Sequence, residues 1–468
     1  MLFSSMTFIY LFLPLTCLAY LLVRKDLHNY VLLIASILFY AWGEPRYLAI
    51  MLLTIFINYA GANYIGRSHN KKHRKLLLTL TILVNLSILF YFKYFNFFAD
   101  NINSLFSTQF DIIKIIMPIG ISFYTFQALS YVIDVYREEV PVQKDIYKLA
   151  LYICLFPQLI AGPIVKYHDV AEQINQRTSD FGKVTYGVKR FIIGLAKKVL
   201  IANTMGSIAD KIFSEPVENF DVLTAWLGAF AYSFQLFYDF SGYSDMAIGL
   251  GAIFGFKFLE NFNYPYISKS ITEFWRRWHI SLSTWFKEYL YIPLGGNRIS
   301  SLRTYINLFI VFFATGFWHG ASWNFIFWGL WHGLFIIFEK ISGWYKKEVN
   351  IKIRFCQHIY TTFVVVIGWV MFRSDNMLYA YNYIKNMFGL TKRHVIIDDV
   401  TYYIDNIGIV TFICAVVCSM PLFKRILYIN YENKISRILI NIWLMGLFIL
   451  SSSAIAAATY NPFIYFRF

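Results

Sequence analysis

The stretch Phe-Trp-Arg-Arg-Trp-His at positions 274–279 combines aromatic rings, two positive charges and an imidazole in one short run. A second pair, Trp318-His319, follows between glycines in a largely apolar part of the chain. An ionisable side chain at membrane depth costs several kcal/mol unless it is paired or wetted, so it is a functional candidate. Imidazole is also the side chain best suited to move a proton near neutral pH. The two motifs therefore indicate chemistry inside a bilayer.

The composition around these motifs is that of a membrane protein. The 468-residue chain is 58% hydrophobic and 20% aromatic, and its mean hydropathy is +0.51, which excludes an ordinary soluble globular protein. Period-2 barrel alternation is absent, so the apolar runs predict about 11–13 transmembrane or re-entrant helices in one domain over 1–468. The candidate segments lie at 3–23, 29–42, 46–65, 76–98, 112–133, 147–165, 186–205, 222–256, 302–317, 322–341, 357–372, 405–422 and 437–459.

The distribution of Lys and Arg predicts the orientation in the membrane. The net charge of +15 could suggest nucleic acid, but the basic residues cluster in short loops such as 67–75, as cytoplasmic loops do. No Lys or Arg precedes Arg24, so the basic start of a cleaved signal peptide is missing. We therefore expect a periplasmic N-terminus and no nucleic-acid partner.

On a helical wheel, residues 272–290 form one amphipathic helix that lies at the cytoplasmic interface or re-enters the membrane. Its aromatic face carries Trp275, Trp278 and His279. Its basic face carries Arg276, Arg277 and Lys287. These three cations could hold the phosphates of an anionic donor, or they could only anchor the helix to anionic membrane lipids.

A short internal echo follows, Gly-Phe-Trp-His-Gly at 316–320 and Gly-Leu-Trp-His-Gly at 329–333. On a continuous helix its offset corresponds to about 220°, so His319 and His332 would point to nearly opposite sides and only one would face a reaction centre. The glycines beside His319 allow another helix or a substrate chain to approach closely. With Trp323 and Asn324, His319 could line a narrow polar tunnel. The alternative is an interhelical hydrogen bond.

Two carboxylates, Asp239 and Asp245, lie in the apolar segment 235–249. Buried carboxylates need partners, and nearby arginines or histidines are the expected ones. The two aspartates could orient a catalytic imidazole, or they could serve only as structural partners.

Three blocks of the chain resemble the membrane-bound O-acyltransferase (MBOAT) family. They are the run 263–298, the Asp-Phe-Ser-Gly-Tyr-Ser-Asp motif at 239–245, and Trp-His-Gly-Ala-Ser-Trp at 318–323. The opening residues 3–5 and the hexamer Phe-Ile-Tyr-Phe-Arg-Phe at 463–468 are similar to the branch of alginate and peptidoglycan O-acetyltransferases of Gram-negative bacteria. The D-alanyl transferase of teichoic acid synthesis is a cousin. The resemblance covers essentially the whole chain, with its motif core at 235–333.

The resemblance implies an inner-membrane MBOAT fold around a central funnel, where a cytoplasmic donor meets an acceptor from outside. It implies acetyl-CoA as the donor, no metal, and a cell-envelope polysaccharide as the acceptor, reached through a periplasmic SGNH-type acetyltransferase or related partner. The chain is rich in Ile, Asn, Lys and Phe, as proteins encoded by AT-rich genomes tend to be. This residue usage favours peptidoglycan over alginate as the acceptor. His319 corresponds to the family's essential histidine, His279 to its second motif histidine, and Tyr465 to the acyl shuttle of the terminal hexamer.

The mechanistic hypothesis makes His319 a general base for an attacking hydroxyl. Tyr465 is the relay, and it needs base assistance because a phenol has a reference pKa of about 10. Arg467 steadies the oxyanion or only holds the terminus at an interface. Dry walls that exclude water come from Trp275, Trp278, Trp318 and Trp323. The competing classes are a transporter or flippase, with charges along a substrate path, and a structural scaffold that tolerates substitution of His319.

Overall fold

The structure is a computed structural model that describes residues 1–108, 114–160, 162–344, 351–391, 399–422 and 434–457. Within these ranges all regular secondary structure is helical, so the all-α prediction is confirmed. The chain divides into two compact units, Met1–Phe191 with Met246–Leu259, and Ile192–Asp245 with Glu260–Phe468. The prediction of a single functional domain over 1–468 stays a prediction.

The first eight helices belong to the first unit. They are α1 Leu13–Leu22, α2 His28–Gly43, α3 Leu48–Arg67, α4 Lys71–Phe106, α5 Ile121–Tyr136, α6 Ile146–Cys154, α7 Phe156–Leu159 and α8 Tyr167–Asn175. The predicted continuous segment 147–165 is wrong, because the chain breaks between α6 and α7. Pro157 in the first turn of α7 explains the break, since proline is tolerated there but not inside a helix.

The remaining helices form the second unit, except that α9 and α11 contribute residues to both. They are α9 Phe181–Ala196, α10 Asn203–Phe213, α11 Val222–Ile253, α12 Ile271–Arg277, α13 Ile280–Phe286, α14 Ser301–His319, α15 Trp323–Ser342, α16 Ile351–Arg373, α17 Met377–Met387, α18 Val400–Tyr403, α19 Asn406–Cys418 and α20 Lys434–Ala457. Two π-helical turns, Lys197–Ala202 and Lys287–Tyr291, continue α9 and α13.

Among the described residues, six helical segments are long and apolar enough to cross a membrane. They are Pro45–Arg67, Lys71–Phe106, Phe181–Phe213, Trp323–Ser342, Ile351–Arg373 and Lys434–Ala457. Two shorter apolar helices, Phe8–Leu22 and Asn406–Cys418, accompany them. The predicted multi-pass membrane protein is confirmed. The central funnel stays a prediction.

A buried pair of asparagines joins α3 to α4 in the first unit. The Asn58 amide donates to Asn85 Oδ1 at 2.8 Å, and the Asn85 amide donates back to Asn58 Oδ1 at 3.2 Å. Each amide also donates to the carbonyl four residues earlier in its own helix. Because lipid offers no hydrogen bonds, this reciprocal pair fixes how the two helices face each other.

In the second unit, α14 and α15 form a tightly packed antiparallel hairpin. Gly316 and Gly329 meet where the two helices cross, and a Cβ on either would strike a backbone carbonyl of the other helix. Gly320 lies against the ring of Phe325. The prediction that these glycines allow another helix to approach closely is confirmed. The close crossing sets the position of His319, the last residue of α14.

We predict that the Asn58–Asn85 pair is energetically coupled. Asn58→Leu or Asn85→Leu alone leaves a buried amide unpaired and should lower the free energy of unfolding by roughly 1–2 kcal/mol. The double variant should lose less than the sum of the two, because no orphan amide remains. Unfolding in lipid bicelles measures all three values. Asn63→Leu is the control, since within the described part of the chain the Asn63 amide bonds to the Tyr59 carbonyl of its own helix and to no other helix; simple additivity would contradict the coupling.

Candidate active site

Three buried histidines and two tryptophans form one continuous series of ring contacts in the second unit. We call it the histidine row; its members are His279, Trp318, His319, Trp328 and His332. Trp318 lies between the first two histidines, with centroid distances of 6.2 Å to His279 and 5.0 Å to His319. Trp328 lies between the last two, at 5.0 Å from His319 and 5.2 Å from His332. The fold therefore brings all three imidazoles into one aromatic environment.

His319 lies at the C-terminal end of α14 with 5% of its surface exposed. The Phe372 ring closes a third side, at a centroid distance of 5.3 Å. The partial negative charge of a helix C-terminus favours a cation there, so it stabilises the imidazolium that forms when His319 takes a proton. The predicted passage that joins His319 to both sides of the membrane stays a prediction.

The prediction that His319 and His332 point to opposite sides is wrong. It assumed a continuous helix, but the chain leaves the helix at Gly320 and restarts at Trp323. The resulting hairpin turns both rings towards Trp328. His332 is fully buried, and neither of its ring nitrogens has a hydrogen-bond partner among the described residues. Its ring also lies edge-on to Trp275 at 5.3 Å.

The predicted single amphipathic helix over 272–290 is also wrong. The segment is two short helices, α12 and α13, with His279 between them in the left-handed conformation, φ 42° and ψ 56°. A continuous helix would bond the N–H groups of Ile280 and Ser281 to the preceding turn, but both donate instead to Asn261. The Arg277 carbonyl, which Ser281 would have used, accepts from the Asn263 N–H at 2.9 Å. Long-range hydrogen bonds therefore replace the local helix.

His279 itself is buried, with 1% of its surface exposed. Its Nδ1 lies 3.1 Å from Asn261 Oδ1, and its ring lies edge-on to Phe240 at 4.6 Å. Burial away from water lowers the pKa of His279 to about 3, so the imidazole is neutral at pH 7. The two predicted catalytic histidines thus share one aromatic site, with Trp318 between them.

A buried carboxylate positions α12. Glu339, near the end of α15, accepts from the Thr272 backbone N–H at 2.9 Å and from the Thr272 hydroxyl at 2.7 Å, and also from the Ile271 N–H. A carboxylate at this position is also attracted by the positive end of the helix dipole at the N-terminus of α12. Trp275 and Trp278 are both turned into the core, and their role as site walls stays a prediction. Trp278 packs on Trp369 at 4.9 Å and Trp275 on Trp328 at 5.6 Å.

The three predicted phosphate-binding cations differ in their surroundings. Arg277 is held by Glu273 at 2.8 Å and donates to the Asn263 carbonyl, so its charge is already balanced. Arg276 and Lys287 are exposed and remain the candidates for holding an anionic donor.

Asp239 and Asp245 of α11 are paired with lysines rather than with the expected arginines or histidines. Lys198 Nζ lies 2.9 Å from Asp239 with both side chains only 2% exposed, and Lys197 Nζ lies 2.6 Å from Asp245. Both lysines come from the π-helical turn that follows α9. Gly242 on α11 faces Gly194 and Lys198 without room for a Cβ. Lys197 and Lys198 lie outside the sequence motifs. The one signal for them in the sequence is that Asp239 and Asp245 each need a cation as a partner.

The remaining predicted site residues are placed less favourably or lie outside the described residues. Trp323 is 51% exposed and is not part of the histidine row. Asn324 is buried and its amide donates to the Ser374 carbonyl, which fixes the start of α15 on the end of α16. Tyr465 and Arg467, with the rest of 463–468, lie outside the described residues.

A second titratable cluster lies in the first unit and includes the one group of side chains, among the described residues, that could hold a metal ion. That group is Asp134, Glu139 and His168. Both ring nitrogens of His168 already face carboxylates, Asp134 at 3.1 Å and Asp169 at 3.3 Å. These two hydrogen bonds raise the pKa of His168 to about 10. An imidazolium does not bind metal, so the cluster is better described as an ion-paired network.

Comparison with known proteins decides the family. The sequence model of the membrane-bound O-acyltransferase family, MBOAT, matches residues 72–381. The chain belongs to this family. The matched region contains all three histidines of the histidine row, together with both aspartate–lysine pairs. The prediction of an acyltransferase is therefore confirmed, and the transporter and scaffold alternatives lose their support.

Three relatives show where the chain lies within the MBOAT family. It is 45% identical to the probable alginate O-acetylase AlgI of Pseudomonas aeruginosa, over 83% of this chain and 75% of that protein. It is 39% identical to the probable alginate O-acetylase AlgI of Pseudomonas putida over the full length of both. It is 36% identical to the peptidoglycan O-acetyltransferase of Helicobacter pylori, over 83% of this chain and 80% of that protein.

We predict that the buried Lys198–Asp239 pair stabilises this MBOAT protein as a pair. Lys198→Met removes the cation from a buried carboxylate and should lower the free energy of unfolding by about 3–5 kcal/mol. Adding Asp239→Leu should restore much of the loss. Lys197→Met is the matched control, because that pair is more exposed and its loss should cost less. Unfolding in bicelles measures the three variants against the unaltered protein, and equal losses for the two lysines would contradict the prediction.

Proposed function

We propose that this protein moves an acetyl group from cytoplasmic acetyl-CoA across the inner membrane for O-acetylation of a cell-envelope polysaccharide. The observation that carries the proposal is the 39% identity to an alginate O-acetylase over the full length of both chains. The peptidoglycan O-acetyltransferase of Helicobacter pylori supports the same chemistry on another polymer. The acetyl group is small enough to pass where the charged donor cannot. A periplasmic SGNH-type protein completes the delivery.

The chemical step is an acyl transfer from sulfur to oxygen. The oxygen of an attacking hydroxyl forms a bond to the thioester carbonyl carbon, the carbon–sulfur bond breaks, and the thiolate of CoA leaves. The hydroxyl proton passes to an imidazole and from there to the departing sulfur. The steps as written balance without a redox partner and without a metal ion.

The buried aromatic rings around His319 support its role as the general base for this step. Trp318, Trp328 and Phe372 surround the imidazole with apolar surface. Such a lining would keep water from hydrolysing the thioester or the acetyl ester, and it would strengthen the electrostatic interactions at the reacting atoms. On the donor side, the exposed cations Arg276 and Lys287 would hold the phosphates of CoA.

The relay proposed for the terminal hexamer divides the reaction into two transfers. Tyr465 first takes the acetyl group from CoA and then yields it to a hydroxyl of the periplasmic partner or of the glycan. Arg467 lies two residues away in the sequence and would steady the oxyanion. Each transfer has its own attacking hydroxyl, so each needs a proton acceptor.

The acceptor polymer is proposed as an envelope polysaccharide that carries acetyl esters on sugar hydroxyls. The residue usage favours peptidoglycan, whereas the two alginate O-acetylases are the more identical relatives. Mass spectrometry of muropeptides and of secreted polyuronate, from cells with and without the gene, distinguishes the two. D-alanine esters on a teichoic acid would instead indicate the D-alanyl transferase alternative.

We predict that His319→Ala abolishes transfer. Without its base, the attacking hydroxyl should react at least about 100-fold more slowly. Release of free CoA from acetyl-CoA by the purified protein in liposomes measures this. His358→Ala is the control, because the His358 ring contacts the Ser268 carbonyl outside the histidine row. Turnover of the His319 variant at the unaltered rate would refute the base assignment.

We predict that Tyr465→Phe blocks delivery of acetyl to the polysaccharide, because the phenol oxygen of the relay is gone. Intact-mass analysis of the C-terminal peptide after incubation with acetyl-CoA should show one acetyl group on the unaltered protein and none on the variant. Tyr460→Phe is the control, since Tyr460 precedes the hexamer. Normal acetylation by the Tyr465 variant would exclude the relay and leave direct transfer to the glycan.

A further inference from the structure

We propose that Asn261 is a positioning residue that holds His279 with its lone pair on Nε2, which makes His279 a second proton acceptor beside His319. Asn261 lies in the segment between α11 and α12 and is completely buried. It belongs to none of the sequence motifs that identified the histidines. The inference rests on the proposed function, because that function supplies the hydroxyl protons that His279 would accept.

The orientation of the Asn261 side-chain amide is determined by a backbone donor. The Ser281 N–H can only donate, and it lies 3.2 Å from Asn261 Oδ1. The Ser281 hydroxyl donates to the same atom at 2.9 Å. The amide nitrogen then faces the Ser244 hydroxyl oxygen and donates to it at 3.0 Å. Exchanging the oxygen and nitrogen of the amide would place an NH2 group against the Ser281 N–H, so this orientation is the favourable one.

The amide orientation determines the tautomer of His279. Asn261 Oδ1 is an acceptor, and it lies 3.1 Å from Nδ1 of the imidazole. Two acceptors at that distance would repel, so Nδ1 carries the hydrogen and donates it to Asn261. In a neutral imidazole the other nitrogen then holds a lone pair. This nitrogen, Nε2, is buried and has no hydrogen-bond partner among the described residues.

The same asparagine holds the backbone that presents the ring. Its main-chain carbonyl accepts from the Ile280 N–H at 2.9 Å, and its side chain accepts from the Ser281 N–H. These two bonds follow directly after the left-handed residue His279. A non-glycine residue in that conformation is strained and persists only when its surroundings hold it. Asn261 therefore determines both where the imidazole lies and which nitrogen can take a proton.

The charged groups on neighbouring elements are paired, exposed or separated from His279 by another ring. Asn261 is therefore the residue that sets the tautomer of the His279 imidazole. On α11, Asp239 and Asp245 each face a lysine. On α12, Arg277 faces Glu273, and Arg276 is exposed. On α14, His319 lies on the far side of Trp318. The groups that contact the His279 ring are Asn261, Ser281, Phe240 and Trp318.

This arrangement gives His279 a defined chemical role. An imidazole with hydrogen on Nε2 would donate a hydrogen bond to a carbonyl or an oxyanion. With a lone pair on Nε2, His279 instead accepts the proton of an attacking hydroxyl, and the negative charge that develops on the substrate favours the imidazolium. The transfer through Tyr465 has two attacking hydroxyls, and the histidine row then offers one acceptor for each.

The first test reads the tautomer directly and needs no activity. Solid-state NMR of protein labelled with ¹³C and ¹⁵N at histidine, in lipid at pH 7, distinguishes the two neutral tautomers by their ring shifts. His279→Gln removes one signal set and so assigns it. The expected result is hydrogen on Nδ1 of His279. Hydrogen on Nε2 would overturn the inference and would leave the proposed acetyl transfer untouched.

The second test uses the near-isosteric variant Asn261→Asp. A carboxylate keeps the acceptor for Nδ1, but its charge favours the imidazolium and raises the pKa of His279, so protonation should remove the acceptor at higher pH. The pH profile of His279 protonation, followed by its histidine ring shifts in solid-state NMR, should therefore move upward by at least about one pH unit. Asn386→Asp is the matched control: Asn386 is equally buried but donates to the Val217 and Phe220 carbonyls, away from the histidine row.

Asn261→Leu removes the acceptor for Nδ1 altogether and should lower kcat by about 100-fold while the KM for acetyl-CoA stays within about threefold. Asn261→Asp guards against misfolding of the leucine variant, because aspartate keeps the size and shape of the asparagine side chain. An unshifted pH profile in Asn261→Asp, or full activity in Asn261→Leu, would overturn the positioning role. If the unaltered protein shows no acetyl transfer, the proposed function itself is overturned.

Discussion

The hydrogen bonds between Asn261 and the turn after His279 are the constraint on which the site depends. They draw the Ile280 and Ser281 N–H groups away from the preceding helix. In their absence, the apolar and basic pattern of 272–290 would favour one continuous interfacial helix, as the sequence predicts. The break places the imidazole of His279 edge-on to Phe240 and next to Trp318. A single residue from outside the segment, through its main-chain carbonyl and its side chain, thus converts an amphipathic helix into part of a buried site.

Several other buried polar groups of the described chain are satisfied in the same manner, by partners from other segments. Glu339 caps α12, Lys198 pairs with Asp239, and Asn58 pairs with Asn85. In a low-dielectric interior such interactions are strong when complete, and an incomplete one is costly. The nitrogens of His332 and Nε2 of His279 are among the buried polar atoms that have no hydrogen-bond partner within the described residues. For His279 the proposed role gives a chemical reason, since a proton acceptor must keep its lone pair available.

Aromatic packing explains how three imidazoles can share so dry an environment. Edge-to-face contacts place the positive edge of one ring against the negative face of another, and they add to the apolar burial. Trp318 contacts both His279 and His319, and Trp328 contacts both His319 and His332. Each tryptophan ring therefore packs against two imidazoles. The crossing of Gly316 and Gly329 brings α14 and α15 close enough for this arrangement. The acyl transfer proposed for this protein would benefit directly, because such rings exclude water.

The sequence alone determined the all-helical membrane class, the MBOAT family and the motif histidines, because apolar run length, residue type and motif identity are local properties of the chain. It also indicated that Trp275 and Trp278 face inward and that glycines beside His319 permit close packing. Only the tertiary structure decided that the chain breaks at His279, that His332 joins His319 at Trp328, and that lysines pair with Asp239 and Asp245. Each of these outcomes depends on a hydrogen bond, an ion pair or a ring contact between segments far apart in the chain, and helical periodicity carries no information about such contacts.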